Sequence, residues 1–256
     1  KPYFHSCLIG MCEVANIMDY NIIFATATAT DISGIQKLVE RGKADGVILT
    51  RSMEHDIAVE YLLEKNIPVA MTGTYNNKSV LQVDMDNGEA AETMTSLLIK
   101  KGFTKFALII EDMSYQVNRS RHEGFLSAIR KNGLDEKQQA VYTGAGRIDL
   151  LDAVITDMMN KRVECVICGD DSLCIHVVSA IQSKGYRIPK DIAVASLYNS
   201  SNLGDFNPPI TTVNVDAVKV GNEIAKLMIS KLQGADCPNK KMMEYDILFR
   251  KSTNRM

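Results

Sequence analysis

Residues 165 to 181 read CVICGDDSLCIHVVSAI, and the order of residue types in this stretch decides the fold. Cys165 to Cys168 form a short apolar run, Gly169 follows, and two acids, Asp170 and Asp171, lead into apolar residues at helical spacing. A buried strand therefore hands the chain directly to a helix through a pair of carboxylates. Aspartate is a favoured N-cap because its side chain satisfies an otherwise orphaned backbone N–H, which accounts for one acid. The other is a candidate ligand contact, since open parallel sheets bind ligands beyond the carboxyl ends of their strands.

Working outward, the same alternation fills the chain. Strands are expected at NIIFAT (21 to 26), ADGVILT (44 to 50), IPVAMT (67 to 72), KFALII (105 to 110), QAVYT (139 to 143), ECVIC (164 to 168) and IAVASL (192 to 197), with amphipathic helices between them. This rhythm predicts parallel sheets covered on both faces. It breaks at EDMSYQVNRSRHEGF (111 to 125) and at YNSSNLGDFNPPITTVNVD (198 to 216), where long polar connections suggest two lobes. A helix over 216 to 233 then ends at Gly234, and MMEYDILFRKST reads as a last strand. The first helix carries Phe4, Leu8, Met11, Ala15 and Met18 along one stripe. In a βαβ plan a strand is expected ahead of it.

Composition narrows the function. A formal charge of −2, without Lys/Arg runs, argues against nucleic-acid or membrane-surface binding by this chain itself, and no apolar stretch is long enough to span a membrane. Cys165 and Cys168 lie an odd number of residues apart on a strand and face opposite ways, so C-x-x-C is neither a redox pair nor half of a metal site. Cys7 and Cys12 sit roughly 140° apart around a helix. Free buried thiols in a reducing compartment, the cytoplasm, are the expectation. His5, His55, His122 and His176 are scattered, so no metal site is expected. TGAGRID (143 to 149) fails as a dinucleotide fingerprint because Asp149 falls where the third glycine belongs, and there is no P-loop or G-x-S-x-G. No cofactor and no enzymatic chemistry are expected.

Several stretches together carry a resemblance. CVICGDDSLCIHVVSAIQSKGYRIPKDIAVASLYN, NPPITTVNVDAVKVGNEIAKLMISKL and ILFRKST resemble successive blocks of the lactose-repressor and galactose-repressor (LacI/GalR) family of bacterial transcriptional regulators. KPYF, ADGVIL, VDMDN and RSRHEGFLSAI agree with it, so the resemblance covers essentially the whole chain. It implies an α/β fold of periplasmic-binding-protein-like type I: two Rossmann-like lobes with parallel sheets, joined by three crossovers near 111 to 115, 198 to 213 and 234 to 241. The N-terminal lobe would comprise 1 to 111 and 213 to 234, and the C-terminal lobe 112 to 212 and 235 to 256. A first strand and a helix-turn-helix DNA-binding domain would lie upstream. The implied role is the effector-sensing, homodimerising core of a cytoplasmic repressor that binds a sugar or sugar derivative between its lobes and operator DNA through the upstream domain. A secreted solute-binding protein of a transporter is the alternative on the same fold.

The implied effector contacts are Arg121, Asp170, Tyr198, Asp86, Tyr3, Phe4 and Tyr115. Arg121, Asp86, Tyr3 and Phe4 each have a plainer reading beside this one. Arg121 starts a mostly apolar helical face and needs a partner if buried, which a structural carboxylate would also supply. Asp86 is placed to cap the helix that follows. Tyr3 and Phe4 extend the first helix's apolar stripe, or stack on a ligand ring. By the resemblance, Asp170 takes a cleft-facing position and Asp171 the helix-start position. SLYN (196 to 199) departs from the family's Gly-Phe-Asp-Asp, placing Tyr198 where sugar-binding members offer a carboxylate. That change alters the donor pattern the site demands of its ligand.

Overall fold

The computed structural model describes residues 2–144 and 148–254. The chain packs into two compact units, Lys1–Met85 with Asp216–Met243, and Asp86–Val215 with Glu244–Met256. It thus passes between units three times, at 85/86, 215/216 and 243/244 instead of at the positions anticipated.

The first unit holds α1 (Pro2–Ile17), α2 (Ser33–Glu40), β1 (Val47–Leu49), α3 (Ile57–Glu64), β2 (Val69–Thr72), β3 (Leu81–Asp84), and, after the return of the chain, α9 (Ala217–Leu232) and β9 (Lys240–Met242). Its sheet has the order β1-β2-β3-β9 and is parallel throughout. Val59, Leu62, Val69, Met71 and Val80, all almost fully buried, form the centre of one core cluster. Asp56 caps α3 by accepting from the Ala58 N–H at 3.0 Å. Helices α1 and α9 touch backbone to backbone: a Cβ at Gly221 would stand 2.0 Å from the Cys7 carbonyl oxygen, and one at Gly10 2.1 Å from that of Val218.

The expected strand at 21 to 26 is not formed. The segment carries no ladder, and Ile23 and Phe24 stand 54% and 65% exposed. The apolar run is present, but a strand exists only where a neighbour supplies hydrogen bonds, and β1 is bonded to β2 alone among the described strands.

The second unit contains α4 (Asn87–Lys100), β4 (Phe106–Ile110), α5 (Gln116–Lys131), β5 (Ala140–Thr143), α6 (Ile148–Asn160), β6 (Cys165–Cys168), α7 (Asp171–Ser183), β7 (Ala193–Ser196), α8 (Ser201–Asp205), β8 (Thr211–Asn214) and β10 (Asp246–Leu248). The sheet order is β10-β8-β7-β6-β4-β5, with every pair parallel except β10 against β8. Strands β6, β7 and β4 are buried along their whole length, as expected of a sheet covered on both faces.

This topology corrects the lobe boundary. β4 lies between β6 and β5, so it cannot belong to the first unit, and α4 goes with it because α4 and α5 cross at a pair of glycines. Three strands escaped notice in the sequence: β3, within the stretch LQVDMDN, β8, within the turn-rich stretch at 198 to 216, and β9, placed where a crossover was expected; the last expected strand, MMEYDILFRKST, forms as β10. The connection rejected as a dinucleotide fingerprint runs through residues 145–147, which lie outside the described residues.

The six cysteines are free, but only Cys7, Cys165, Cys168 and Cys174 are buried; Cys12 is exposed and Cys237 partly so. Burial, with Cys174 as neighbour, pushes the Cys168 thiol well up from its ordinary value. Burial likewise raises Cys7 to about 11. No helix of the described residues is long and apolar enough to cross a membrane.

Candidate functional site

Parallel strands β7, β6 and β4 present their carboxyl ends side by side, and of the second unit's candidates Arg121, Asp170 and Tyr198 lie there. Gly169 leaves β6 directly, and Tyr198 stands two residues beyond β7. The connection out of β4 is pinned by α5: Asn118 Nδ2 donates to the Asp112 carbonyl at 2.7 Å, and Arg119 Nη1 to the Met113 carbonyl at 2.8 Å. The start of α5 is thereby fixed, and Arg121 with it.

Arg121 is the centre of this group. Only 2% of it is exposed. Its Nε and Nη2 both donate to Asn87 Oδ1, at 3.2 and 2.9 Å, and its Nη1 donates to the Gly169 carbonyl at 2.7 Å. The Tyr198 ring covers the guanidinium with its centroid 4.5 Å from Cζ. All three partners are neutral, so the positive charge is hydrogen-bonded but not cancelled by them. A desolvated cation against an aromatic face is held by about 2 kcal/mol.

Tyr198 is itself held by its own turn. The buried Ser196 Oγ donates to the Tyr198 carbonyl at 2.7 Å and accepts from the Tyr198 N–H at 3.3 Å. The neighbouring Asn199 is tied into the sheet: Nδ2 donates to Asn214 Oδ1 at 2.9 Å, and Oδ1 accepts from Thr212 Oγ1 and Arg250 Nη1, both at 3.1 Å. The closing RKST motif is structural in the same way. Arg250 Nη1 reaches the Ile210 carbonyl at 2.7 Å, Ser252 Oγ the Val194 carbonyl at 2.6 Å, and Thr253 Oγ1 lies 2.7 Å from Thr211 Oγ1. This motif fastens the end of the chain to β7 and β8.

The acids resolve differently from their expected assignments. Asp170, not Asp171, is the N-cap of α7, accepting from the Leu173 N–H at 2.8 Å while remaining half-buried beside Gly169. Asp171 sits in the first helical turn, 2% exposed. A carboxylate here has a favourable interaction with the helix dipole. Asp86 caps α4 through the Glu89 N–H at 2.8 Å and is exposed. Tyr115 precedes α5 with extended backbone and is half-buried, and it is not among the groups that meet Arg121.

Tyr3 and Phe4 belong to the first unit. Their rings meet edge to face with centroids 5.6 Å apart, and Phe4 lines a groove there together with Leu8 and Met11. Asn87 is the contact that sequence reasoning missed. It stood in VDMDN next to the acid that drew attention, and its burial to 5% becomes apparent only once α4 is packed against α5. Among the described residues no group of three or more His, Cys, Asp or Glu side chains is placed to hold a metal ion.

Two units, each built on a mainly parallel sheet and passed between three times by one chain, define an α/β fold of doubly wound type. The chain belongs to the periplasmic binding protein-like domain family, whose sequence model matches residues 95–253. It is 29% identical over 224 residues to the HTH-type transcriptional regulator MalR of Staphylococcus xylosus, an alignment that covers 86% of this chain and 65% of that protein. The chain therefore spans about two thirds of that relative's length. Among solved structures, a probable maltose operon transcriptional repressor MalR from Staphylococcus aureus superposes with a TM-score of 0.93 at 20% identity, covering 100% of this chain and 93% of that one. A LacI family transcriptional regulator from Enterococcus faecium with bound ribose gives 0.88 at 19% identity, covering 98% and 94%. At these identities the structural likeness speaks to the fold, and the curated relatives are transcriptional regulators of helix-turn-helix type.

Proposed function

We propose that this chain is the effector-sensing core of a LacI-type transcriptional regulator and that its effector is a sugar or sugar derivative. The observation that carries the reading is Arg121: a fully buried guanidinium with neutral partners, capped by an aromatic ring, at the ligand-binding edge of a parallel sheet. Arginine's planar fork suits paired hydroxyls or a carboxylate, and a tyrosine face suits the apolar face of a sugar ring. Asp170 adds an acceptor nearby, and Asp86, Tyr115, Tyr3 and Phe4 complete the set of candidate contacts. The ribose-bound structural neighbour and the probable maltose operon repressor among the solved structures point to the same ligand class.

In this reading the chain catalyses no reaction. It acts in the cytoplasm as a homodimer and reaches operator DNA through a helix-turn-helix domain outside this sequence. Effector affinity differs between two conformations of the core, and that difference is what shifts DNA binding. The regulator names of the relatives favour this over transport of a secreted solute.

The test is a thermal-shift screen of the chain against ribose, maltose, cellobiose, sugar phosphates, nucleosides and small carboxylates. A sugar at about a hundred times its dissociation constant stabilises the folded state by about 2.7 kcal/mol. A raised midpoint with at least one sugar or sugar derivative is expected. A flat response to all of these, or a response to nucleosides or carboxylates alone, contradicts the sugar assignment.

A further inference from the structure

Two hydroxyls of the second unit, Ser114 Oγ and Ser200 Oγ, are buried with no hydrogen-bond partner among the described residues. Ser114 lies in the connection out of β4 and Ser200 in the connection out of β7, the strands that flank β6. Both therefore stand beyond the carboxyl ends of the parallel strands, on the edge of the sheet that holds Arg121 and Tyr198. Ser114 is half-buried as a residue, whereas Ser200 is only 7% exposed. Ser200 precedes α8 with extended backbone, where a serine ordinarily caps, yet its side chain accepts no N–H of that helix. Its polar neighbours are engaged. Ser196 Oγ bonds both backbone groups of Tyr198, and Asn199 is held by Thr212, Asn214 and Arg250.

We infer that Ser200 is a specificity-determining contact of the effector site, its hydroxyl bonding a hydroxyl of the sugar that Arg121 anchors. The inference rests on the sugar reading of that site and adds Ser200 to its candidate contacts. Three observations carry it. A buried polar group without a partner is rare in folded proteins, because it loses water and gains no hydrogen bond in return. This one lies two residues from the ring that covers Arg121, in a turn otherwise fixed by hydrogen bonds, so the fold sets its position. The Arg121 guanidinium is in a similar state, since its bonds to Asn87 and Gly169 do not use all of its N–H groups. A serine hydroxyl both donates and accepts, as a sugar hydroxyl does. A site that bonds a ligand hydroxyl in this way rejects the analogue that lacks it.

Ser200→Ala is compared with the wild-type chain in two measurements. The first is the calorimetric midpoint without sugar. A hydroxyl that serves a ligand adds nothing to the fold, so the variant's midpoint is expected to equal or exceed that of the wild type. A fall of about 3 °C or more shows that the hydroxyl caps α8, and overturns the inference. The second is isothermal titration of ribose, maltose, cellobiose and sugar phosphates, with the monodeoxy analogues of whichever binds. Ser200→Ala is expected to weaken the parent sugar at least tenfold. One monodeoxy analogue is expected to bind both proteins equally, because it lacks the hydroxyl that Ser200 meets. Equal affinity of the parent sugar for the two proteins overturns the inference alone, as does a loss of the same size for every analogue. If no sugar or sugar phosphate binds the wild-type chain, the sugar reading itself fails and this inference falls with it.

Discussion

Arg121 has a structural role besides the recognition role proposed for it. Buried arginines need hydrogen-bonding partners, and the resemblance pointed to a ligand contact, but the partners turned out to be an amide, a carbonyl and a ring instead of a carboxylate. Removing the side chain therefore has a structural cost besides any loss of ligand. Arg121→Met leaves the Gly169 carbonyl without its 2.7 Å donor and Asn87 Oδ1 without two. Each buried polar group so deprived costs about 1–3 kcal/mol. A fall in the thermal midpoint of about 5 °C or more is expected by calorimetry. An unchanged midpoint would mean that water reaches these groups freely and that the site is wetter than the geometry shows. Tyr198 is the clearest departure of the sequence from the family's pattern. That its ring closes over Arg121 depends on β6, β7 and α5 meeting, which no local pattern records.

At the scale of elements, the crossing of α4 and α5 is set by glycine. A Cβ at Gly124 would stand 2.1 Å from the Gly88 carbonyl oxygen, a backbone atom with nowhere to go. This close approach places Asn87, at the start of α4, against Arg121 three residues before Gly124. Gly124→Ala is expected to destabilise the protein by about 1–3 kcal/mol through overpacking, despite alanine's better helix propensity. It is also expected to weaken effector binding, because the Asn87–Arg121 fork moves with the helices. A chemical-denaturation midpoint equal to or above that of the wild type would show that the helices can separate without cost. Most elements of both units were legible in the sequence for a simple reason: fully buried parallel strands read as uninterrupted apolar runs, and six of the seven runs expected to alternate with helices formed strands. The seventh, 21 to 26, has the right composition but no neighbour, and β8 was hidden behind two prolines in a stretch whose turn residues dominated the reading.

At the scale of the whole molecule, the chain's three passages between units were anticipated in number and misplaced in sequence. The first was set at the long polar connection after β4, whereas the exchange comes earlier, at Met85 and Asp86, where no composition shift marks it. The cap residue of α4 opens the second unit, and nothing local distinguishes a cap that starts a helix from one that also starts a unit. Asp170 and Asp171 raise the same ambiguity at smaller scale, since either acid satisfies the rule for helix starts and only the formed helix shows which one caps it.

In the proposed function Arg121, beneath Tyr198, anchors a sugar effector. Isothermal titration of the best sugar from the thermal screen into the wild-type chain and into Arg121→Lys tests it most directly. Lysine keeps the charge and loses the planar fork, so one-site binding in the wild type and at least a tenfold weaker affinity in the variant, with an unaltered circular dichroism spectrum, are predicted. Equal affinities in the two proteins would contradict the account and place the sugar away from Arg121.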